Sequence, residues 1–151
     1  SMAVLDFLDQ NLPKDSFLLS LMSQYTPTAA CAAHPEINAI LQATPVHAMA
    51  FAVTDTKFDP RTIPESYILL RDVCRMPYGE NYTNPDKTAA YFGEVTPAAM
   101  VENDCVIVGG TSLLNAFDRL EVMESTAHSI INAASVGKIV HISAQEITLW
   151  R

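Results

Sequence analysis

Few residues in this 151-residue chain are suited to chemistry, and their spacing narrows the choice further. Cys31, Cys74 and Cys105 are odd in number and form no Cys-x-x-Cys pair. They read as reduced thiols of a cytosolic protein, because a disulfide framework needs pairs and a zinc site needs close ligand spacing. No Ser-His-Asp order and no Gly-x-Ser-x-Gly elbow is present, so acyl-transfer chemistry lacks its nucleophile. Asn103-Asp104-Cys105 sets a carboxylate beside a thiol. A neighbouring negative charge disfavours the thiolate, which argues against Cys105 as a nucleophile. Gly109-Gly110 stands before a helical pattern and could cradle a phosphate. Without a full Gly-x-Gly-x-x-Gly the pair reads first as a plain turn. A metal site built from His47, Asp104 and Cys105 would match no ordinary ligand spacing, so His47 is expected to be packed or partly exposed rather than ligating. His34 precedes a proline in a turn and is expected to be solvated, and His128 and His141 are expected to be structural.

These residues need elements to hold them. The organising stretch runs from Glu102 to Gly137. Val106 to Val108 are consecutive β-branched residues, which suit a buried strand, and Gly109-Gly110 is expected to break it. Thr111 or Ser112 then caps a long helix. Ala116, Leu120, Met123, Ala127, Ile130 and Ala134 give that helix one apolar stripe, widened by Leu113, Phe117 and Ile131. Gly137 is expected to end it in the left-handed conformation. Upstream, Ala3 to Leu12 and the stretch through Phe17, Leu18, Leu21 and Met22 read as helices. Ala39 to Ala43 reads as a short strand, and Pro45 suits the start of a helix through Phe51. Thr54 to Pro64 reads as a loop, and Glu65 to Leu70 as either helix or strand. Asp72 to Met76 and Ala98 to Val101 read as strands, with a two-turn helix over Asp86 to Phe92 between them. Ile139 to Ile142 is predicted to be a further strand, and Ser143-Ala144-Gln145-Glu146 a capping box. Strands alternate with helices, which predicts a single mixed α/β domain over residues 3–151.

Composition bounds the partners. The net charge is −8 and the nine basic residues form no run, so nucleic acid is not an expected partner. No apolar stretch approaches the roughly 20 residues of a membrane span, and no signal peptide is evident; a cytoplasmic protein is expected. Only 17% of residues are charged, against about 25% in an average soluble protein. So little charge on a small domain predicts surface hidden against other subunits or domains. Ser1-Met2 reads as a cloning remnant, and the chain as part of a longer protein.

Three segments together resemble the class II aldolase/adducin family. The first runs from His34 to Ala48 through AILQATPVHA, the second ends in Pro77-Tyr78, and the third spans Glu102 to Glu146. In the third, Gly110, Ser112-Leu113, Ala116, Glu124, Ala127, Gly137 and Ser143-Ala144-Gln145-Glu146 fall in the family's register. The resemblance covers roughly residues 23 to 147. It implies an α/β fold with a central sheet flanked by helices in three layers, shortened at its N-terminus. The family includes zinc-dependent sugar-phosphate aldolases, an epimerase and the non-catalytic head domain of adducin. It also implies assembly into rings of four subunits with sites at subunit borders.

The departures bear on function. The family's zinc-binding histidines correspond to Gln42, Thr44 and Asp104, its acid/base glutamate to Ser23 or Gln24, and the glycine after the third histidine to Cys105. Zinc takes imidazole, thiolate or carboxylate, and a Gln amide and a Thr hydroxyl are poor substitutes. Without the metal an enediolate has no Lewis acid, and without the carboxylate there is no proton shuttle. The expectation is therefore no catalytic residue, no metal and no cofactor. Gln42, Thr44 and Asp104 would mark a degenerate metal site. Ser23, His47, Tyr67, Cys105, Gly109 and Gly110 are candidate pocket residues, with Tyr78 a further one. The leading reading is a catalytically silent assembly, scaffold or ligand-binding module, homo-oligomeric or docked to other domains, with a sugar phosphate as a candidate ligand. The alternative is a divergent aldolase or epimerase with a relocated metal or a site completed by a partner chain.

Overall fold

The computed structural model describes Ala30 and residues 33–150. The two helices expected upstream, together with Ser23, Gln24 and Cys31, lie outside the described residues. In chain order the elements are β1 (Ala39–Ala43), α1 (Val46–Ala52), α2 (Pro64–Leu70), β2 (Val73–Met76), α3 (Glu80–Thr83), α4 (Pro85–Ala90), β3 (Ala98–Val101), β4 (Cys105–Gly110), α5 (Leu113–Val136) and α6 (Ala144–Ile147), followed by a 3-10 turn, Thr148–Trp150.

The strands form one four-stranded sheet in the order β1-β4-β3-β2. β4 pairs antiparallel with both β1 and β3. β3 pairs in parallel with β2, as the crossover through α3 and α4 requires. The chain is thus an α/β fold with helices flanking a central sheet. Every residue of β3 and β4 is buried, which fits the β-branched run Val106 to Val108.

Alternation along the strands divides the core in two. On one face Leu41, Ala98, Met100, Val106 and Val108 pack against Phe51 and Phe58 and against Ala116, Leu120, Met123 and Ala127 of α5. On the other, Met76, Ala99, Val101, Cys105 and Ile107 meet Ile37 and Phe92. A buried pair of hydroxyls, Ser66 Oγ and Thr126 Oγ1 at 2.5 Å, ties α2 to α5, so neither is left dry and unpaired. The stripe on α5 ends early. Ile130 is half-buried, while Ile131, Ala134 and Val136 are exposed, so its last turns run past the sheet.

Caps explain where the helices start. Ser112 Oγ accepts the Asn115 N–H at 3.1 Å. Ser143 and Glu146 close a reciprocal capping box at α6. Pro45, at the head of α1, offers no side-chain acceptor. Its orphan donors are satisfied from α5 instead: the Glu124 carboxylate accepts the N–H of His47 at 3.0 Å and of Ala48 at 2.9 Å.

Three expectations are corrected. Gly109 and Gly110 do not break β4; they are its last two residues, paired with Ile40 and Ala39. A Cβ on Gly110 would lie 2.5 Å from the backbone nitrogen of Ala116, so glycine is needed there for α5 to lie against the strand. Ile139 to Ile142 forms no strand. Ile142 N–H donates to Arg61 O at 2.9 Å and Val140 is 86% exposed, so the segment's β propensity meets no partner strand. Gly137 ends α5 with φ 167°, an extended rather than left-handed conformation. The ambiguous Glu65 to Leu70 is helical, entered by Pro64 at the first position, where a missing N–H is harmless.

Candidate functional site

Asp104 sits at the β3–β4 turn, where Asn103 takes φ 55°, a conformation asparagine tolerates. Its carboxylate accepts from Asn81 Nδ2 at 3.0 Å and from the Tyr82 hydroxyl at 3.2 Å. The Cys105 thiol lies 3.5 Å from the same carboxylate. Asn81, on the short helix α3, is 1% exposed. The Gln42 side chain of β1 lies close to Tyr82 and Cys105. Gln42, Asp104 and Cys105 thus share one cluster with Asn81 and Tyr82.

Burial pushes the Cys105 thiol well up, and the Asp104 charge pushes it further. Burial and Asp104 likewise raise the Tyr82 phenol, with Gln42 weakly opposing in both cases. Both effects favour the protonated form of the Cys105 thiol, the weaker nucleophile.

The other sequence candidates are distributed elsewhere. Thr44 is exposed just beyond the end of β1, and among the described residues no hydrogen bond joins it to Asp104. His47 lies on α1 with its ring Nδ1 2.7 Å from Glu124 and stacks on His128 with centroids 4.0 Å apart. Burial would raise the Glu124 carboxyl, but the N–H groups of His47 and Ala48 and the His47 ring outweigh it and hold it low. His34 is half-buried, with its ring on Ala89 O, and not simply solvated. Tyr78 is 69% exposed. Gly109 and Gly110 are at the opposite end of β4 from Cys105, and the Gly109 N–H is already bonded to Pro97 O at 2.8 Å, so the pair forms no phosphate cradle. Tyr67 is buried on α2 and lines a different cavity.

Asn81 and Tyr82 were missed from the sequence. The available signal was a polar, aromatic-bearing stretch, Glu80 to Thr83, directly after Pro77-Tyr78-Gly79. With nothing apolar to bury but Tyr82, such a short helix can hold its place only through polar contacts. Among the described residues, no three His, Cys, Asp or Glu side chains converge closely enough to hold a metal ion. No described helix is long and apolar enough to cross a membrane.

The sequence matches, over residues 3–131, the family described as "Class II Aldolase and Adducin N-terminal domain". The chain belongs to that family. Solved structures of the class II aldolase superfamily share its fold. An aldolase II superfamily protein from Pseudomonas syringae superposes with a TM-score of 0.67 at 19% identity, over 83% of this chain and 52% of that one. YgbL from Klebsiella pneumoniae gives 0.63 at 25%, over 82% and 61%. The L-fuculose 1-phosphate aldolase of Glaciozyma antarctica gives 0.64 at 20%, over 82% and 47%. The class II aldolase-like chain therefore spans about half to three-fifths of the length of these structures. No curated protein sequence matches it.

Proposed function

We propose that this class II aldolase-like domain is catalytically silent, holds no zinc, and works as an assembly or ligand-binding module. The observation that carries the reading is the set of partners around Asp104. At the positions that correspond to the family's three imidazoles, Gln42 offers an amide, Thr44 an exposed hydroxyl and Asp104 a single carboxylate. Zinc needs a fuller set of nitrogen, thiolate or carboxylate donors. The one suitable donor is engaged by the neutral donors Asn81 and Tyr82, and the neighbouring thiol is held protonated. The Asp104 carboxylate thus has protein donors without a metal. The low charged fraction supports the assembly part of the reading, as do the exposed Val136, Val140 and Leu114.

Elemental analysis of the protein purified without chelator should give far less than one zinc per chain, and L-fuculose 1-phosphate should not be cleaved. Gln42→His, Thr44→His and Asp104→His together should raise zinc affinity while cleavage stays absent. About one zinc per chain in the unmodified protein would sink the proposal. Analytical ultracentrifugation checks the assembly part, which a clean monomer at high concentration would contradict.

A further inference from the structure

A cavity of about 550 Å3 opens at the other end of the sheet, where β2 begins. That volume lies in the range of about 300–1,000 Å3 typical of small-molecule sites. Phe58, Val73 and Ile147 give it apolar walls, and charged side chains surround them. Arg61 and Asp59 close on each other as a bidentate ion pair, with His141 Nδ1 3.7 Å from the same carboxylate. Lys57 and Arg71 are different. Lys57 is exposed and has no acceptor among the described residues. Arg71 donates one nitrogen, Nη1, to Trp150 O at 2.9 Å, while its guanidinium lies 5.6 Å from the Tyr67 ring centroid. Its remaining donors have no protein acceptor among the described residues. Asp72 is the opposing carboxylate on the rim, exposed and close enough to Arg61 to favour its charge.

The backbone supplies a second, independent sign. Arg71, the residue that ends α2, has φ 51° and ψ −115°, a backbone conformation that favours glycine. A side chain held in such a conformation marks a place where something other than local stability dictates the residue. Glycine would take this backbone without strain, and what arginine adds is a guanidinium that lines the cavity.

We propose that this cavity is a ligand site distinct from the Asp104 cluster, taking a small organic oxyanion with its charged group on Arg71 and Lys57 and its body against Phe58, Val73 and Ile147. A guanidinium fork suits the planar carboxylate and the phosphomonoester alike. The site stands whether or not the domain is catalytically silent, because it shares no residue with the degenerate metal positions.

The test is a two-dimensional amide NMR titration of the whole 151-residue chain with sodium phosphate and with sodium propionate, each matched in ionic strength by sodium chloride. Saturable shifts at Tyr67, Arg71 and Asp72 that chloride does not reproduce are expected, and the stronger of the two probes identifies the oxyanion. Arg71→Gly, which this backbone conformation accepts, should weaken binding by about tenfold or more, as loss of a charge-assisted hydrogen bond does. Lys57→Gln, which leaves the Arg71–Trp150 contact in place, should weaken it by a smaller factor. Shifts equal in chloride, shifts centred on Asn81 and Asp104, or binding unchanged in both variants would each overturn the site.

Discussion

The two ends of the sheet solve opposite problems. Where β4 begins, one carboxylate is met by neutral donors and a protonated thiol: Asn81 and Tyr82 on Asp104, with Gln42 behind them. That end is closed, in that its charged group is satisfied from within the fold. Where β2 begins, Lys57 and the open side of Arg71 face a cavity with no acceptor for their free donors among the described residues, and the backbone at Arg71 is strained. Polar groups that satisfy each other are structural until shown otherwise. Unsatisfied donors beside a strained residue are where a ligand is to be sought. The family position that would draw attention first is thus the one whose carboxylate already has protein donors.

If the first end is structural, disturbing it should damage stability. The largest effect is expected at Glu124, which anchors α1 just after the Gln42–Thr44 segment. Glu124→Ala removes the acceptor of two helix-terminal N–H groups and of the His47 ring, and should cost about 3 kcal/mol by urea denaturation. A loss under about 0.5 kcal/mol would mean that water replaces the carboxylate without penalty. Asp104→Ala comes next. It takes away the acceptor of the buried Asn81 amide and should cost about 2 kcal/mol. An unchanged unfolding midpoint would reduce the cluster to a surface contact and blur the contrast between the ends. At the other end the sign reverses: Arg71→Gly should gain about 1 kcal/mol as the backbone strain at this positive φ is relieved, offset by the lost Trp150 contact. A clear destabilisation would show Arg71 to be a strut for the C-terminal turn.

Much of the fold was legible because its signals were local. Ala39 to Ala43, the β-branched core of β4, the Ser112 cap and the Ser143 box each state their structure within a few residues. The failures share a cause in tertiary context. Ile139 to Ile142 has strand propensity but no neighbouring strand. Gly109-Gly110 looked like a turn, yet it is the close approach of Ala116 that requires glycine. The site was half legible. Gln42, Asp104 and Cys105 came from their place in a familiar pattern, whereas Asn81 and Tyr82 reach Asp104 from more than 20 residues away, a separation no local rule covers. Arg71 gave no sequence signal at all, since only the backbone dihedrals reveal its strain.

The smallest effect separates the ends by acid. At the open end Asp59 is paired with Arg61, whose side-chain bonds hold the carboxyl below its ordinary value of 3.8, although burial alone would raise it. A carboxyl that binds its proton less tightly folded than unfolded stabilises the fold above the unfolded value. It loses that contribution as pH falls through the lower folded value. The pair is partly exposed, with Arg61 42% accessible, so the contribution is about 0.5 kcal/mol and salt-sensitive. Asp59→Asn should therefore be slightly less stable than the parent at pH 6. The gap should shrink as pH is lowered through and below about 3.8, with urea melts at pH 6, 4 and 2.5 tracing it. A gap that stays constant across that window would mean that Asp59 acts through packing and its bond to the Arg61 backbone N–H, and not through its charge. The cavity would then lose one of its two carboxylates as an electrostatic participant. Arg61 would still be held by its bidentate hydrogen bonds to Asp59, leaving Lys57 and Arg71 as the cations open to an incoming oxyanion, in contrast with the closed end around Asp104.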